Sequence, residues 1–548
     1  MKTNRTIYAL TAAAAALLAL TSCNDFLDKM PDNRAELDTK EKVRALLVSA
    51  YPENDYMLVT EFMSDNVDDY GPNNPYTDRF IDQVYAWADV TERDNESPEN
   101  IWDANYNAIA SANHAIQAIE IMAEEIEGYH APAGSLLDRA VAAAKATGMQ
   151  AELAEALLCR AYAHFMLVNI FALNYNTNTS DKDLGITYCY APETTLNPKS
   201  ERQSVKEIYE SIDADLQAAL PNVGDSYYTV PKYHFNQKAA YAFASRFYLF
   251  YEQWSEAIKY ADLCLGPGIV PGSGNTLRDW ADQAAMPQDK DAITNNYISA
   301  SVNANLLLIT AYSKMGLAFE NYYTYSKYSH GAYLANNEDG IALTKLWGGS
   351  NSTYYMPMKI YSATNMNRVI FWKLPYLFEY TDPVAGIGYY RTVYPALTTD
   401  EVLLNRAEAK IMMEQYDEAL EDINLWVRNI AKNPQALTEE KIKSYFDSMD
   451  YCVWDRSTPK KELHPAFAIS ERQEPFLHCV LNLKRIETLG NGLRWFDIKR
   501  YGIEIERRVM NMAGNPSVKT DQLMKDDLRR AVQIPKKVVD AGYEKNPR

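Results

Sequence analysis

Asp65, Asn66, Asp68 and Asp69 form a close set of oxygen donors. Their chemistry would be cation binding. They lack the alternating positions and closing glutamate of a calcium loop, so a solvated loop without metal is expected. The seven histidines are scattered, with no two at i, i+3 or i+4, and the short ligand spacings of a zinc site are missing. No GxSxG, HExxH, GxGxxG, P-loop or EF-hand spacing occurs, which removes the usual signatures of acyl transfer, zinc hydrolysis and nucleotide binding. Paired carboxylates could hydrolyse a glycosidic bond, yet 73 acidic residues always supply pairs at suitable distances, and none is singled out. No catalytic residue, metal or cofactor is expected.

What remains is non-covalent chemistry. The chain holds 40 Tyr and 9 Trp beside only 16 Phe, so aromatics with a polar edge predominate. Such side chains suit half-wet surfaces, although a single Tyr is more often buried with its hydroxyl bonded. They concentrate in residues 322–394, where Tyr325, Tyr354, Tyr355, Trp347 and Trp372 stand among Asn, Ser, Thr and Gly. The formal charge of -19, with no basic run to offset it, would repel a phosphate backbone, so nucleic acid is not an expected partner.

One further side chain has chemistry set by its position. Lys2 and Arg5 precede an apolar run over residues 7–20, the pattern of a secretory signal. The run is shorter than the roughly 20 residues that a spanning helix needs. Leu20-Thr21-Ser22-Cys23 follows and resembles the lipobox of bacterial lipoproteins, in which the thiol, here Cys23, receives diacylglycerol and the freed amine a third acyl chain. An ordinary signal cut near Ser22 and an uncleaved anchor are the alternatives. Each buried CH2 contributes about 0.8 kcal/mol, so three chains would hold the protein on a membrane without a transmembrane helix. Of the other cysteines, Cys159, Cys189, Cys264, Cys452 and Cys479, none forms a CxxC. A core of this size needs no disulfide framework, and Cys159 and Cys264 are expected as small buried hydrophobes.

The elements that must position these groups are mostly helices. Residues 1–22 are expected as the signal peptide, 23–39 as a lipidated acidic tether broken by Pro31, and 40–548 as a single domain. A first helix is expected over 40–51, and periodicity of 3.6 predicts others over 101–122, 150–173, 205–220, 237–265, 401–430 and 473–489. In the first of these periodic segments Trp102, Tyr106, Ile109 and Asn113 share one face, predicting a core stripe with one internal hydrogen bond. The segments EQWSEAI (252–258) and EQYDEAL (414–420) repeat each other 162 positions apart. Each places an aromatic three residues before an Ala just after a tight turn, and resembles the tetratricopeptide helix pair. The copies predict dispersed pairs, within 101–265 and 401–430, rather than a tandem solenoid. Between them, residues 267–399 lack any period and are expected as an irregular, ligand-bearing insertion.

Taken in order, the lipobox, CNDFLDKMP, IWDANYNAIASANHAI, LLCRAYAHFMLVNIFA, the EQWSEAI helices and NGLRWFDIKRYG resemble the SusD/RagB family of Bacteroidetes outer-membrane lipoproteins. The resemblance runs the length of the chain. Departures touch structural motifs: Asn491-Gly492-Leu493 stands where the family commonly has Glu-Gly before Arg-Trp, and Ala172 where a Gly is common. In NGLRWFDIKR, Arg494 and Asp497 are expected to pair or cap a turn, with Trp495 buried. The resemblance implies a mainly α SusD-like fold, in which helix pairs pack against a loop-rich ligand region. It also implies a surface lid on a SusC-like TonB-dependent transporter, holding an oligosaccharide whose CH faces stack on Tyr or Trp. A peptide ligand in the same architecture is the alternative, and a surface glycosidase a remote one. The ligand face is expected in residues 64–87 and 322–361. The residues expected there are Tyr70, Asn73, Asn74, Tyr76, Trp347, Tyr354 and Tyr355, with Tyr325 and Arg368 behind them.

Overall fold

Helices form where apolar side chains recur every three to four residues, and strands take up little of the rest. The computed structural model describes residues 37–193, 201–269, 276–320, 324–350, 353–363 and 366–548. The lipobox and Cys23 lie outside them. The helices that matter to the argument are α1 (Met57–Met63), α2 (Arg79–Tyr85), α3 (Pro98–Glu124), α4 (Gln150–Phe171), α5 (Val205–Ala219), α6 (Gln237–Phe250), α7 (Trp254–Leu265), α8 (Thr399–Met412), α9 (Tyr416–Ile430), α10 (Gln473–Thr488) and α11 (Arg494–Arg500). The helix expected over 40–51 ends earlier, as Lys40–Leu47. The architecture is mainly α.

The packing is that of consecutive helix pairs. α3 lies on α4, α4 on α5, α6 on α7 and α8 on α9. By length and composition α4 could cross a membrane, but it is buried on every side. Its charge is satisfied internally: Arg160 grips Asp215 of α5 at 2.8 and 2.7 Å. Asn113 on the α3 stripe accepts a third bond from Arg160 at 2.9 Å and donates to the Cys189 carbonyl. Tyr106 on the same stripe donates its hydroxyl to the Thr187 carbonyl at 3.0 Å, so the expected single bond is three. Cys159 and Cys264 are buried free thiols, as their helical settings suggest.

The two EQ segments are the turns between α6 and α7 and between α8 and α9. In both, the glutamate takes a left-handed backbone, Glu252 at φ +61° and Glu414 at φ +59°. The next amide closes the turn, Gln253 N–H to the Tyr248 carbonyl and Gln415 N–H to the Lys410 carbonyl. Ala257 and Ala419 are fully buried where the paired helices meet. Although far apart in sequence, the pairs are neighbours, because α7 packs directly on α8. Arg246 of α6 clasps Glu401 of α8 within this stack, Nε lying 2.6 Å from the carboxylate. The insertion therefore leaves the stack and returns to it.

That insertion is only partly irregular. It carries β2 (Asn305–Tyr312), β3 (Tyr328–Ser329), β4 (Met358–Ala363), β5 (Met366–Phe371), β6 (Leu377–Asp382) and β7 (Ile387–Thr398). β2, β7 and β6 form an antiparallel sheet in that order, and β4 and β5 a hairpin. A second sheet joins distant parts of the chain in the order β3, β1 (Asp68–Asp69), β8 (Ile505–Met510), β9 (Pro516–Leu523). Its strands went unforeseen because β6 and the outer half of β7 are exposed or half-exposed on both faces, so no polar and apolar alternation marks them.

Candidate functional site

The first of the two loops expected to bear ligand begins where α1 ends, and its root is held by buried charge. Arg507 of β8 donates to the carbonyls of Phe62, Met63 and Ser64 at 2.8, 3.0 and 2.8 Å, satisfying groups that a helix end leaves unpaired. Asp65 takes a two-pronged bond from Arg494 at 2.9 Å on each oxygen. Arg485 donates to the Asp65 carbonyl at 2.6 Å and the Asn66 amide oxygen at 2.8 Å. Asn66 in turn donates to Glu61, whose carboxylate also accepts the amides of Gly490 and Gly492. Asp68 is bound by Arg508 at 2.7 Å.

The acidic cluster is therefore neither a solvated loop nor a cation site. Its members Asp65, Asn66 and Asp68 are buried and already answered by guanidinium groups. Burial alone would raise the Asp65 carboxyl, but Arg485, Arg494 and Lys461 hold it well below the usual carboxylate range. Among the described residues no group of three or more His, Cys, Asp or Glu is placed to bind a metal. The expected Arg494–Asp497 pair does not form either. Asp497 accepts from Lys484 and Arg500, both at 3.1 Å, while Arg494 reaches a residue 429 positions away. Trp495 is fully buried as expected.

From this root the chain runs into β1, and β1 brings the two expected loops together. Asp68 pairs with Ser329 and Asp69 with Tyr328. The ladder continues irregularly, with Tyr70 N–H to the Lys327 carbonyl at 2.6 Å and Lys327 N–H to the Tyr76 carbonyl at 3.0 Å. Asp82 of α2 is the hub beside it, accepting from the Tyr328 hydroxyl at 2.6 Å and the Lys327 ammonium at 3.0 Å. Tyr85 stacks on Tyr328 with centroids 4.0 Å apart. The β8–β9 turn closes a third side, where the Asn511 carbonyl accepts from Asn73 at 3.1 Å.

On this face Tyr76 is 57% exposed, and Asn73 and Tyr325 are half-buried. Tyr325 sits at φ +55°, a left-handed turn that aims its side chain unusually. Burial, and then the Asp78 carboxylate, push its hydroxyl far above the ordinary tyrosine value.

Other expected residues lie beneath the face. Tyr70 is 1% exposed and lies against Gly331, where a Cβ would come within 2.0 Å of its hydroxyl. Asn74 is buried and its side-chain oxygen accepts the Tyr76 amide at 3.2 Å. Arg368 is buried behind the second loop, donating to the Thr324 carbonyl at 3.4 Å, and burial lowers its guanidinium to about 9. These three shape the loops rather than offer surface.

Trp347, Tyr354 and Tyr355 are placed elsewhere, around the C-terminal end of α9. Trp347 is fully buried, edge-on to Trp426 at 6.3 Å. The buried Tyr354 donates its hydroxyl to the Gly340 carbonyl at 3.0 Å, and Gly349 fits between it and Trp347. Tyr355 is half-buried, its amide bonded to the Ile430 carbonyl and its ring 5.4 Å from the Lys432 ammonium. Large aromatics bury well, and nothing in their spacing separates a core ring from a ligand ring.

Sequence reasoning missed Asp82, Lys327, Tyr328 and Asn511. β1 and β3 are two residues long, too short for any period to announce them.

Comparison with known proteins gives a consistent result. Residues 25–249 match the SusD-like family described as starch-binding associating with outer membrane. Residues 312–538 match the SusD family. No curated protein matches the chain. Among solved structures, a SusD superfamily protein from Bacteroides thetaiotaomicron superposes with a TM-score of 0.59 at 18% identity, covering 94% of this chain and 100% of the other. A SusD superfamily protein from Bacteroides vulgatus gives 0.56 at 16%, covering 94% and 99%. A SusD-like carbohydrate binding protein from Bacteroides vulgatus gives 0.57 at 14%, covering 91% and 96%.

Proposed function

This chain belongs to the SusD/RagB family, and on that premise we propose that it is a surface-exposed nutrient-binding lipoprotein of the outer membrane. It captures oligosaccharides and delivers them to a SusC-like TonB-dependent transporter, for which it acts as the lid. The observation that carries this reading is the junction of residues 68–77 with 325–329. Two loops some 250 positions apart meet there in a short ladder, with Tyr76 exposed and Asn73 and Tyr325 half-buried beside it.

Such a face suits a saccharide. Phenol rings take the CH faces of a pyranose, and the phenol hydroxyls meet its hydroxyl groups at the edge. Binding is moderate by design of the task, because the ligand must leave for the barrel, and energy for import comes from the partner. The protein breaks no bond. The Cys23 thiol, acylated after cleavage of residues 1–22, supplies the anchor, and residues 23–39 the tether.

The test has two parts. Mild detergent extraction of the native protein, followed by mass spectrometry, should recover a large barrel protein together with oligosaccharide. Peptides in place of oligosaccharide would leave the lid role standing and overturn the saccharide reading, and absence of a barrel would overturn the lid. For the recovered sugar, the double change Tyr76→Ala, Tyr325→Ala should weaken binding by about 1–3 kcal/mol with little change in melting temperature.

A further inference from the structure

The β6–β7 ribbon projects from the sheet edge with little covering it. Its two faces differ in chemistry. Register pairs Leu377 with Arg391 and Glu379 with Tyr389, so these share one face, and Phe378 with Tyr390 and Tyr380 with Gly388 share the other. The first face mixes an aliphatic side chain with an ion pair, Arg391 to Glu379 at 2.5 Å, and a guanidinium 4.7 Å over Tyr312. That mixture of Leu, Tyr and Arg is what protein interfaces use.

The second face is all aromatic. Tyr376, entering β6, lies 5.3 Å from Tyr390 between ring centroids, Tyr390 5.2 Å from Phe378, and Phe378 4.8 Å from Tyr380. The last two contacts are edge-to-face, at 70° and 72°. Tyr376 is 42% and Tyr380 58% exposed at the two ends of the row. Opposite Tyr380 there is no side chain: a Cβ on Gly388 would come within 2.0 Å of the Glu379 carbonyl and 2.8 Å of Phe378. The glycine lets Phe378 lie over the backbone and keeps the row open on that side.

We propose that this row is a second saccharide-binding platform, separate from the face built by residues 68–77 and 325–329, and that its ligand is a neutral oligosaccharide. No ring in the row is charged at neutral pH, and the cation beside it, Lys290 at 5.9 Å from the Tyr376 ring centroid, is already paired with Glu320 at 3.5 Å, so on a protein whose formal charge is -19 the row favours an uncharged ligand over an anionic one. Mutual ring contacts fix the side chains before any ligand arrives, which removes an ordering cost that flexible contacts would carry. Three of the four rings carry a hydroxyl, so stacking and edge hydrogen bonds come from the same residues. With two platforms on one molecule, a polymer is held at two points and its dissociation from one does not release it. The inference rests on the proposed ligand class, since a peptide-binding protein would have no use for the row.

The test uses the full-length mature protein and Tyr376→Ala, Tyr380→Ala, whose sites are exposed and whose melting temperature serves as the folding control. Probes are maltoheptaose, cellohexaose, xylohexaose and laminarihexaose by calorimetric titration, and the matching polysaccharides by retardation in affinity gels. For a sugar that binds, wild type should take two equivalents and the variant one, and retardation by the polymer should weaken roughly tenfold. If wild type binds a sugar and the variant matches it in both stoichiometry and retardation, the platform is overturned while the lid reading stands. If the variant keeps full sugar binding but loses the co-extracted barrel, the row is a protein interface and the proposal also falls. No binding of any probe by wild type overturns the platform and the saccharide reading together.

Discussion

Arg494 and Asp65 show how a single residue can serve a site it never touches. Removing the guanidinium by Arg494→Ala leaves a buried carboxylate short of its two-pronged partner, and should cost about 3–5 kcal/mol in a urea unfolding series. Trp347→Ala belongs to the same class. The ring is core, so the change should cost about 3–5 kcal/mol of stability and leave the affinity of folded protein unchanged in titration. Asp55 behaves oppositely with pH. It is fully buried, and burial raises its carboxyl from the unfolded value to about 6, against the pull of bonds from Ser313 and from the Leu58 and Met57 amides. A raised folded value stabilises below the unfolded value and loses that contribution as pH rises through 6. Asp55→Asn keeps an acceptor for those amides, so its stability relative to wild type should improve by about 1–2 kcal/mol between pH 5 and pH 8. A flat difference in melting temperature across that range would refute the assignment. At this scale the sequence was legible in types but not in fates. Tyr76 and Tyr354 look alike in sequence, yet one is mostly exposed and the other buried.

Among the elements, the helices expected from their periodicity were placed to within a few residues, although α4 is buried on every side and shorter helices such as Leu136–Thr147 were not expected. The two left-handed glutamates were not readable, since EQ carries none of the usual glycine signal for such a turn. They give a clean test. Glu414 is exposed, and Glu414→Gly should stabilise by about 0.5–1 kcal/mol by relieving its backbone strain, while Glu414→Ile should destabilise, both read from denaturant midpoints. Strands fared worse for the reason that β6 illustrates. Where both faces meet solvent the period of two disappears, and the row of tyrosines reads as loop composition. The second sheet was beyond reach altogether, because β1 and β8 are joined across some 440 positions by a parallel pairing of Asp69 with Val509.

Over the whole molecule, buried charge does what disulfides do in smaller secreted proteins. Glu408 of α8 is held by Arg500 and Lys484 at 2.6 and 2.7 Å. Burial would raise its carboxyl, but those two cations lower it to about 2. Asp65 and Glu338 are also held low, again with cations outweighing burial. A depressed folded value means that the contribution is fully present above about pH 4 and is lost as pH falls toward the folded value. Urea midpoints should therefore be steady above pH 5 and drop steeply between pH 4 and pH 2. A shallow profile would mean that these ions carry little of the stability.

The length of the Asp65–Arg494 connection also bears on how the protein comes into being. Residues 64–69 emerge early, but the side chains that hold them, Arg485, Arg494 and Arg508, are made last. Until the final tenth of the chain arrives, Asp65 and Asp68 lack their guanidinium partners and the loop cannot close on them. Contacts of such separation form slowly. The proposed ligand face is thus the last part of the molecule to mature, and a chain cut short before residue 494 would retain most of its helices without ever acquiring it.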